Sequence, residues 1–382
     1  MPEADSPLRL LVVPSVYPSA GRPEGGIFVQ ALMKALLRSG ASVRVVAPQP
    51  YGRGLFRKQP DDGGVPVERP WFLSYSNKRL TGRLSTFRWT SASFNRAVLR
   101  TAARMEFRPN LVYGHFLFPG GEAALKAAER FHVPAVVALG EGNPAYYEDH
   151  VGLERMQEMT RRLSAILCVN EANKAYSVER LGVEEKRVRV QPNAADTTLF
   201  YPRNRAGMRR RHGLPPHRPL IAFTGHFNEN KGPLRVLEAI RSIPKAAGVF
   251  LGEGRDRPQG ERVLFAGKVP YREMPEWLSA ADLFVLPALR EASSNAVAEA
   301  LACGLPVVTS DLPTLRAMAT ERNARFVDPL DIPALAVAID RILREPLLRA
   351  GMSSAALEHA RSYTLDHRAG QILAWLRGLC PA

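Results

Sequence analysis

Short apolar runs alternate with stretches of helical periodicity almost from the start of the chain. Residues 10–13 form one such run, residues 28–37 carry apolar side chains at helical spacing, and residues 43–47 form a second run after Gly40. An apolar period that changes from continuous to about 3.6 and back predicts a β-α-β unit. The rhythm continues through runs at 111–113, 135–139, 165–169 and 188–191. Runs that are apolar throughout suit parallel strands covered on both faces, so the first half reads as a doubly wound domain. After Phe200 the pattern breaks into Tyr201-Pro202-Arg203-Asn204-Arg205 and then Arg209-Arg210-Arg211-His212-Gly213-Leu214-Pro215-Pro216, a polar, basic and proline-rich stretch. A second β/α series follows, with runs at 220–224, 248–251, 263–266, 283–286, 307–309 and 325–327, and apolar residues at helical spacing close the chain over 365–379.

This organisation predicts an α/β protein with two Rossmann-like halves. The expected bounds are an N-terminal domain over 1–200, a linker over 201–217, a C-terminal domain over 218–362, and a terminal helix over 363–382 that packs back on the first domain. A length of 382 residues agrees with two domains at roughly 150 residues each. Open α/β sheets bind ligands beyond the carboxyl ends of their strands, which draws attention to the loops after strands and to a deep cleft between two facing domains.

Composition narrows the classes. The chain is 46% hydrophobic and 23% charged, as an ordinary globular protein is. Met1-Pro2-Glu3-Ala4-Asp5 lacks the basic start of a signal peptide, and no run approaches the roughly 20 apolar residues of a membrane span. A cytoplasmic protein, at most peripheral at the inner face of the membrane, is expected. Cys168, Cys303 and Cys380 form neither a metal pair nor a disulfide framework and are read as core or incidental residues. The net charge of +15 calls for an anionic partner, or simply reflects an arginine-rich composition. Part of it lies in Lys78, Arg79, Arg83, Arg88, Arg96, Arg100, Arg104 and Arg108, of which the last four are spaced to form one stripe on a helix. Tyr75, Phe87 and Trp89 add aromatic tips. An anionic membrane surface is one expected partner and a solvated face the alternative. No nucleic-acid recognition motif accompanies the charge.

The segment richest in chemistry runs from Glu291 through Ser293, Ser294, Asn295 and Glu299 to Gly304 and Pro306. Ser293, Ser294 or Asn295 would cap a helix that ends at Gly304. Its N-terminus offers free N–H groups and a positive dipole end, a natural seat for a diphosphate. The flanking carboxylates, Glu291 in the loop and Glu299 in the helix, would accept hydrogen bonds from sugar and ribose hydroxyls. Alternatively Glu299 begins a solvated helix face and Glu291 pairs with Arg290.

The whole segment resembles the E-x7-E signature of glycosyltransferase family 4. Leu251-Gly252-Glu253-Gly254, Phe265-Ala266-Gly267-Lys268-Val269 and Ala281-Asp282-Leu283-Phe284-Val285-Leu286-Pro287 resemble successive blocks of that family in order, and Val190 to Phe200 resembles its interdomain block. The resemblance implies a GT-B architecture and a retaining, metal-independent hexosyl transfer from a nucleotide diphosphate sugar, with UDP or GDP as the expected carrier and no cofactor. The acceptor would be a hydroxyl on a glycan, a lipid-linked sugar or a small molecule, in polysaccharide or cell-envelope synthesis.

Matched residue by residue, the resemblance implies that Glu291 contacts donor-sugar hydroxyls, Glu299 holds the ribose, and N–H groups around Ser294 and Asn295 cradle the phosphates. Gly267 and Val269 fall in a donor-side block. In Thr224-Gly225-His226-Phe227-Asn228-Glu229-Asn230-Lys231, Lys231 matches the diphosphate-binding lysine, and His226 stands where an arginine is usual. Gly25-Gly26 matches a flexible pair after the first strand, and His115 lies in a histidine-bearing loop that would face the cleft. Catalytic roles thus fall to Glu291, Lys231 and His115. Where many relatives carry H-G-x-D, this chain has Leu139-Gly140-Glu141-Gly142, with Glu141 as a candidate replacement. A sugar-nucleotide epimerase on the same architecture, or a donor-binding protein without turnover, are the alternatives.

Overall fold

The computed structural model describes residues 7–52, 57–75, 79–81 and 84–380. Lys78 and Arg83 of the basic stretch, and the terminal Met1-Pro2-Glu3-Ala4-Asp5, lie outside the described residues. The chain forms two compact units, Met1–Pro192 with Asp366–Ala382 and Asn193–Leu365. Among the described residues no helix is long and apolar enough to cross a membrane.

In the first unit, β1 (Arg9–Pro14), β2 (Ser42–Val46), β3 (Val67–Glu68), β4 (Leu111–His115), β5 (Ala135–Leu139), β6 (Ala165–Cys168) and β7 (Val188–Val190) make a seven-stranded sheet. Its order is β7-β6-β5-β4-β1-β2-β3 and every pairing is parallel. Strands β4, β5 and β6 are buried at every position, which is why they read as unbroken apolar runs. Helices α1 (Ile27–Arg38), α2 (Thr86–Arg104) and α3 (Glu122–Phe131) belong to this unit. Phe94 and Val98 of α2 and Leu125 of α3 share one core with Leu11, Val13 and Val112 of the sheet.

In the second unit, β8 (Leu220–Thr224), β9 (Ala247–Leu251), β10 (Val263–Gly267), β11 (Leu283–Leu286), β12 (Val307–Ser310) and β13 (Ala324–Val327) pair in parallel in the order β10-β9-β8-β11-β12-β13. Helices α4 (Arg205–Arg211), α5 (Pro233–Arg241) and α6 (Asn295–Ala302) belong here. The strand order reverses between β4 and β1 in one sheet and between β8 and β11 in the other. These are the switch points outside whose carboxyl ends such sheets bind ligands.

Two domain boundaries differ from expectation. The first unit ends at Pro192, because Ala195 and Phe200 are buried in the second core. Residues 201–217 are not a linker: they contain α4, and the basic composition conceals a buried cation. Arg209 is 4% exposed and donates to Asp282 Oδ2 at 2.9 Å, to the Ala280 carbonyl at 2.9 Å and to the Pro216 carbonyl at 2.7 Å. Asp282 Oδ2 also accepts the Leu220 N–H at 2.8 Å, which fastens α4 to the start of β8. The last helix, α7 (Leu365–Arg377), returns to the first unit: Arg38 Nη2 meets Asp366 Oδ1 at 2.7 Å and Cys380 Sγ donates to the Asn110 carbonyl at 3.6 Å. Cys168, Cys303 and Cys380 are free thiols.

Removing one member of a buried, multiply bonded charge pair leaves the other uncompensated. Arg209→Ala is therefore expected to cost the second unit about 3–5 kcal/mol in urea unfolding. Arg205→Ala, which removes a half-exposed partner of the same Asp282, should cost under about 1 kcal/mol.

Candidate functional site

At the switch point of the second unit, the loops after β8 and β11 are sewn together by main chain and side chain. The Leu289 N–H donates to the Asn230 carbonyl at 2.7 Å and Asn230 Nδ2 donates to the Arg290 carbonyl at 3.1 Å. Arg235 Nη2, from α5, donates to the Pro287 carbonyl at 2.7 Å. The β8 loop is pinned from below by Phe227, which is fully buried and whose N–H donates to the Glu253 carbonyl at 2.7 Å. Gly252 permits that contact, since a Cβ there would stand 1.9 Å from the Gly225 carbonyl oxygen. The glycines of the 251–254 block thus serve a close approach of two loops.

This scaffold brings Lys231 and Glu291 together across 60 residues, with Nζ to Oε2 at 2.5 Å. Glu291 is paired with Lys231 and not with Arg290. The side chains are 23% and 11% exposed, so the pair is sheltered but reachable. Beside it, Thr224 Oγ1 and Asn230 Oδ1 are buried with no hydrogen-bond partner. The arrangement offers a cation, a carboxylate and two unpartnered polar atoms within one loop pair.

Helix α6 starts just after Glu291. Ser294 is its N-cap and accepts the Val297 N–H at 3.3 Å. Ser293 is taken up internally: its Oγ accepts the Asn193 N–H at 2.8 Å. The Ser294 N–H faces Met318 Sδ at 3.0 Å and so is not free for the phosphate contact expected of it. Asn295 and Ala296 keep N–H groups that the described residues do not claim.

Glu299 is buried, not solvated. It points inward from α6, and Tyr271 Oη donates to its Oε1 at 2.9 Å. Burial pushes its carboxyl up to about 8, against the smaller lowering effect of the Tyr271 hydrogen bond. Burial also raises the Tyr271 hydroxyl, and Phe200 packs edge-on against its ring at 5.3 Å. Gly267 and Val269 lie at the end of β10 and just beyond it, at the same end of the sheet but two strands away from β8. The His226 side chain is exposed.

The switch point of the first unit brings together the other group. His115 ends β4 opposite Pro14 of β1, and its carbonyl accepts the Ser15 N–H at 3.0 Å. Phe28, in the first turn of α1, packs over His115 at 5.8 Å. Gly26 caps that helix at φ +75°, where a Cβ would meet the Val16 carbonyl oxygen at 2.5 Å, so a local backbone demand accounts for this glycine. Burial, with Arg368 adding to it, holds the His115 imidazole down to about 3, so it is neutral near pH 7. Its Nδ1, the Tyr113 hydroxyl and Arg368 Nε are all buried without partners. Leu139 is fully buried in β5. Glu141 Oε1 accepts the Leu117 N–H at 2.7 Å, and burial raises its carboxyl to about 7 despite that bond. Arg368, Tyr113 and Tyr271 were not foreseen from sequence; Arg368 lies over 250 residues from His115, and no local signal joins them.

The comparisons agree with this geometry. A family model described as glycosyl transferase 4-like domain matches residues 25–194, and one described as glycosyl transferases group 1 matches residues 218–345. The putative teichuronic acid biosynthesis glycosyltransferase TuaC of Bacillus subtilis is 27% identical over 89% of this chain and 90% of its own. The D-inositol 3-phosphate glycosyltransferase of Thermomonospora curvata is 30% identical over 74% of both chains. Among solved structures, sucrose-phosphate synthase from Thermosynechococcus elongatus aligns with a TM-score of 0.77 at 20% identity over 98% of this chain and 99% of that one. Anabaena HepE in complex with UDP and glucose aligns at 0.75 and 17% identity over 97% and 100%. The chain belongs to the group 1, family 4-like glycosyltransferases and has their GT-B α/β fold. It is a glycosyltransferase.

The Glu299 environment has a measurable consequence. Its carboxyl titrates near the ordinary 4.5 when unfolded and near 8 when folded, so the folded state holds more protons between those values. Stability therefore falls as pH rises from about 4.5 to about 8 and levels off above. Glu299→Gln, which keeps an acceptor for Tyr271, should melt several degrees above wild type at pH 8 to 9 and converge with it near pH 5 in differential scanning fluorimetry.

Proposed function

We propose that the protein transfers a hexose from a nucleotide diphosphate sugar to a hydroxyl acceptor with retention of anomeric configuration and without a required metal ion. The observation that carries this reading is the Lys231–Glu291 pair at the switch point of the second unit, immediately before the N-terminus of α6. Chemically, the hard part of such a transfer is the negative charge that gathers on the departing nucleotide diphosphate. Fixed donors aimed at that charge lower the barrier because they need no reorganisation when the bond breaks.

Lys231 supplies a full positive charge, and the N–H groups of Asn295 and Ala296 supply two neutral donors at a positive helix end. Glu291 now holds the ammonium in place. With a donor bound, the lysine turns to the diphosphate and the carboxylate is freed to accept from sugar hydroxyls. Glu299 takes the ribose: a hydroxyl pair donating to its carboxylate favours the charged form, so donor binding releases a proton from this residue near pH 7. His115, neutral in its apolar surroundings, acts in the first unit as a hydrogen-bonding group and not as a cation.

UDP is the favoured carrier, in keeping with the UDP and glucose in the solved HepE complex, and GDP is the alternative. The name of TuaC supports a role in cell-envelope polysaccharide synthesis. Glu141 stands where many relatives carry a more extended polar motif, which makes it a candidate for setting the choice of sugar.

Thermal shift against UDP, GDP, ADP and their sugar conjugates tests the reading, because a ligand that binds only the native state raises its melting temperature. One nucleotide at about 100 times its Kd should add about 2.7 kcal/mol, a shift of a few degrees. Lys231→Ala should abolish most of that shift and lower kcat/KM by about 10²-fold or more. Proton NMR of the product should show the donor's anomeric configuration, with turnover unchanged in EDTA. Absence of any nucleotide response at millimolar concentration would sink the proposal, and an inverted product would overturn the retaining mechanism.

A further inference from the structure

The first unit carries a cavity that none of the residues named at either switch point lines. About 420 Å³ in volume, it lies between the outer face of α2 and the short extended segment around Trp71, and is lined by Tyr51, Trp71, Leu73, Arg96, Arg100 and Arg104 among others. Its size is ordinary for a small-molecule or oligomer subsite. Its wall is fastened and not incidental. The Tyr51 N–H donates to the Phe72 carbonyl at 2.9 Å, the Leu73 N–H donates to Ser93 Oγ of α2 at 2.9 Å, and Phe72 packs edge-on against Phe94 at 5.2 Å.

The sequence stripe is resolved by this geometry. Arg96, Arg100 and Arg104 lie on α2 and all three line the cavity; Arg108 falls beyond the helix end and donates to the Met105 carbonyl. None of the three pairs with a carboxylate among the described residues, although ion pairs are frequent elsewhere in the chain. Successive arginines four apart advance about 6 Å along the helix axis, so they present a ladder of guanidinium forks. Facing that ladder, Trp71 and Tyr51 are exposed and meet edge to face at 6.1 Å. An aromatic face opposite a row of cations suits a ligand with apolar ring faces and one negative charge at regular intervals.

We propose that this cavity binds an anionic oligosaccharide, a chain of carboxylate- or phosphate-bearing sugars, with Trp71 as the stacking platform and Arg96, Arg100 and Arg104 as anion ligands. Concavity favours this over a lipid surface, which snorkelling side chains meet on a convex or flat face. That the bound chain is the acceptor rests on the transferase reading above; the binding itself does not.

The test is titration of the full-length protein with tetragalacturonic acid, followed by tryptophan fluorescence and calorimetry, beside neutral maltotetraose and phosphatidylglycerol vesicles. The expected result is saturable binding of the acidic tetramer below about 1 mM and none of the neutral one. Arg100→Ala and Trp71→Ala should each weaken it about tenfold, while Arg130→Ala, a surface arginine on α3, leaves it unchanged. Raising ionic strength to about 0.5 M should weaken it further. No binding at about 10 mM, binding indifferent to the combined R96A/R100A/R104A variant, or vesicle binding without oligosaccharide binding would each overturn the proposal. The UDP thermal shift, measured on the wild type and the same variants, reports folding and the donor site separately, so absence of oligosaccharide binding by the wild-type protein with that shift intact rejects this inference alone.

Discussion

One main-chain hydrogen bond, from the Leu289 N–H to the Asn230 carbonyl, sets the geometry on which the second unit's chemistry depends. A parallel sheet delivers its loops to one end but does not fix their spacing. Here the loops after β8 and β11 are joined directly, and Phe227 and Gly252 hold the first of them down against β9. The Lys231–Glu291 pair follows from that scaffold and does not create it. A partly exposed ion pair contributes only about 0–1 kcal/mol by itself, whereas the backbone bonds and the buried Phe227 make its position definite.

The same logic separates what was legible in the sequence from what was not. Strands with largely apolar side chains leave unbroken runs, so every strand of both sheets could be read except the two-residue β3, Val67–Glu68, which is too short and too polar to stand out. The positions of Lys231, Glu291 and Glu299, in the loops after β8 and β11 and on α6, were legible because spacing and neighbouring blocks are local. Composition misled at 201–217, where Arg209 looks like solvent-facing charge and is instead a buried donor to Asp282. Glu299 was legible as a residue but not as an environment: its burial depends on Tyr271, which comes from another segment. The Ser294 N–H was assigned to a ligand, yet Met318, 24 residues on, lies against it. Each miss involves a partner distant in sequence, which no periodicity reports.

The first unit shows a different economy. Tyr113, His115 and Arg368 place three buried polar atoms without partners on β4 and α7, and an unsatisfied buried polar group costs about 1–3 kcal/mol. Phe116, next to His115, adds a positive φ of 70° that bulky residues rarely adopt. Strain and unsatisfied polarity concentrated at a switch point mark it as shaped for something other than stability, and the fully buried strands around it supply the surplus that tolerates them.

The return of residues 366–382 to the first unit has a consequence for how the molecule is made. During synthesis the chain emerges from its N-terminus, so the first sheet is exposed to the cell while the entire second unit is still to be translated. Arg368 and the apolar face of α7 follow only after the whole second unit, at roughly 5–20 residues per second. The first unit is completed only after the second has been made, and a chain stopped at Leu365 would leave the second unit whole while depriving the first of α7.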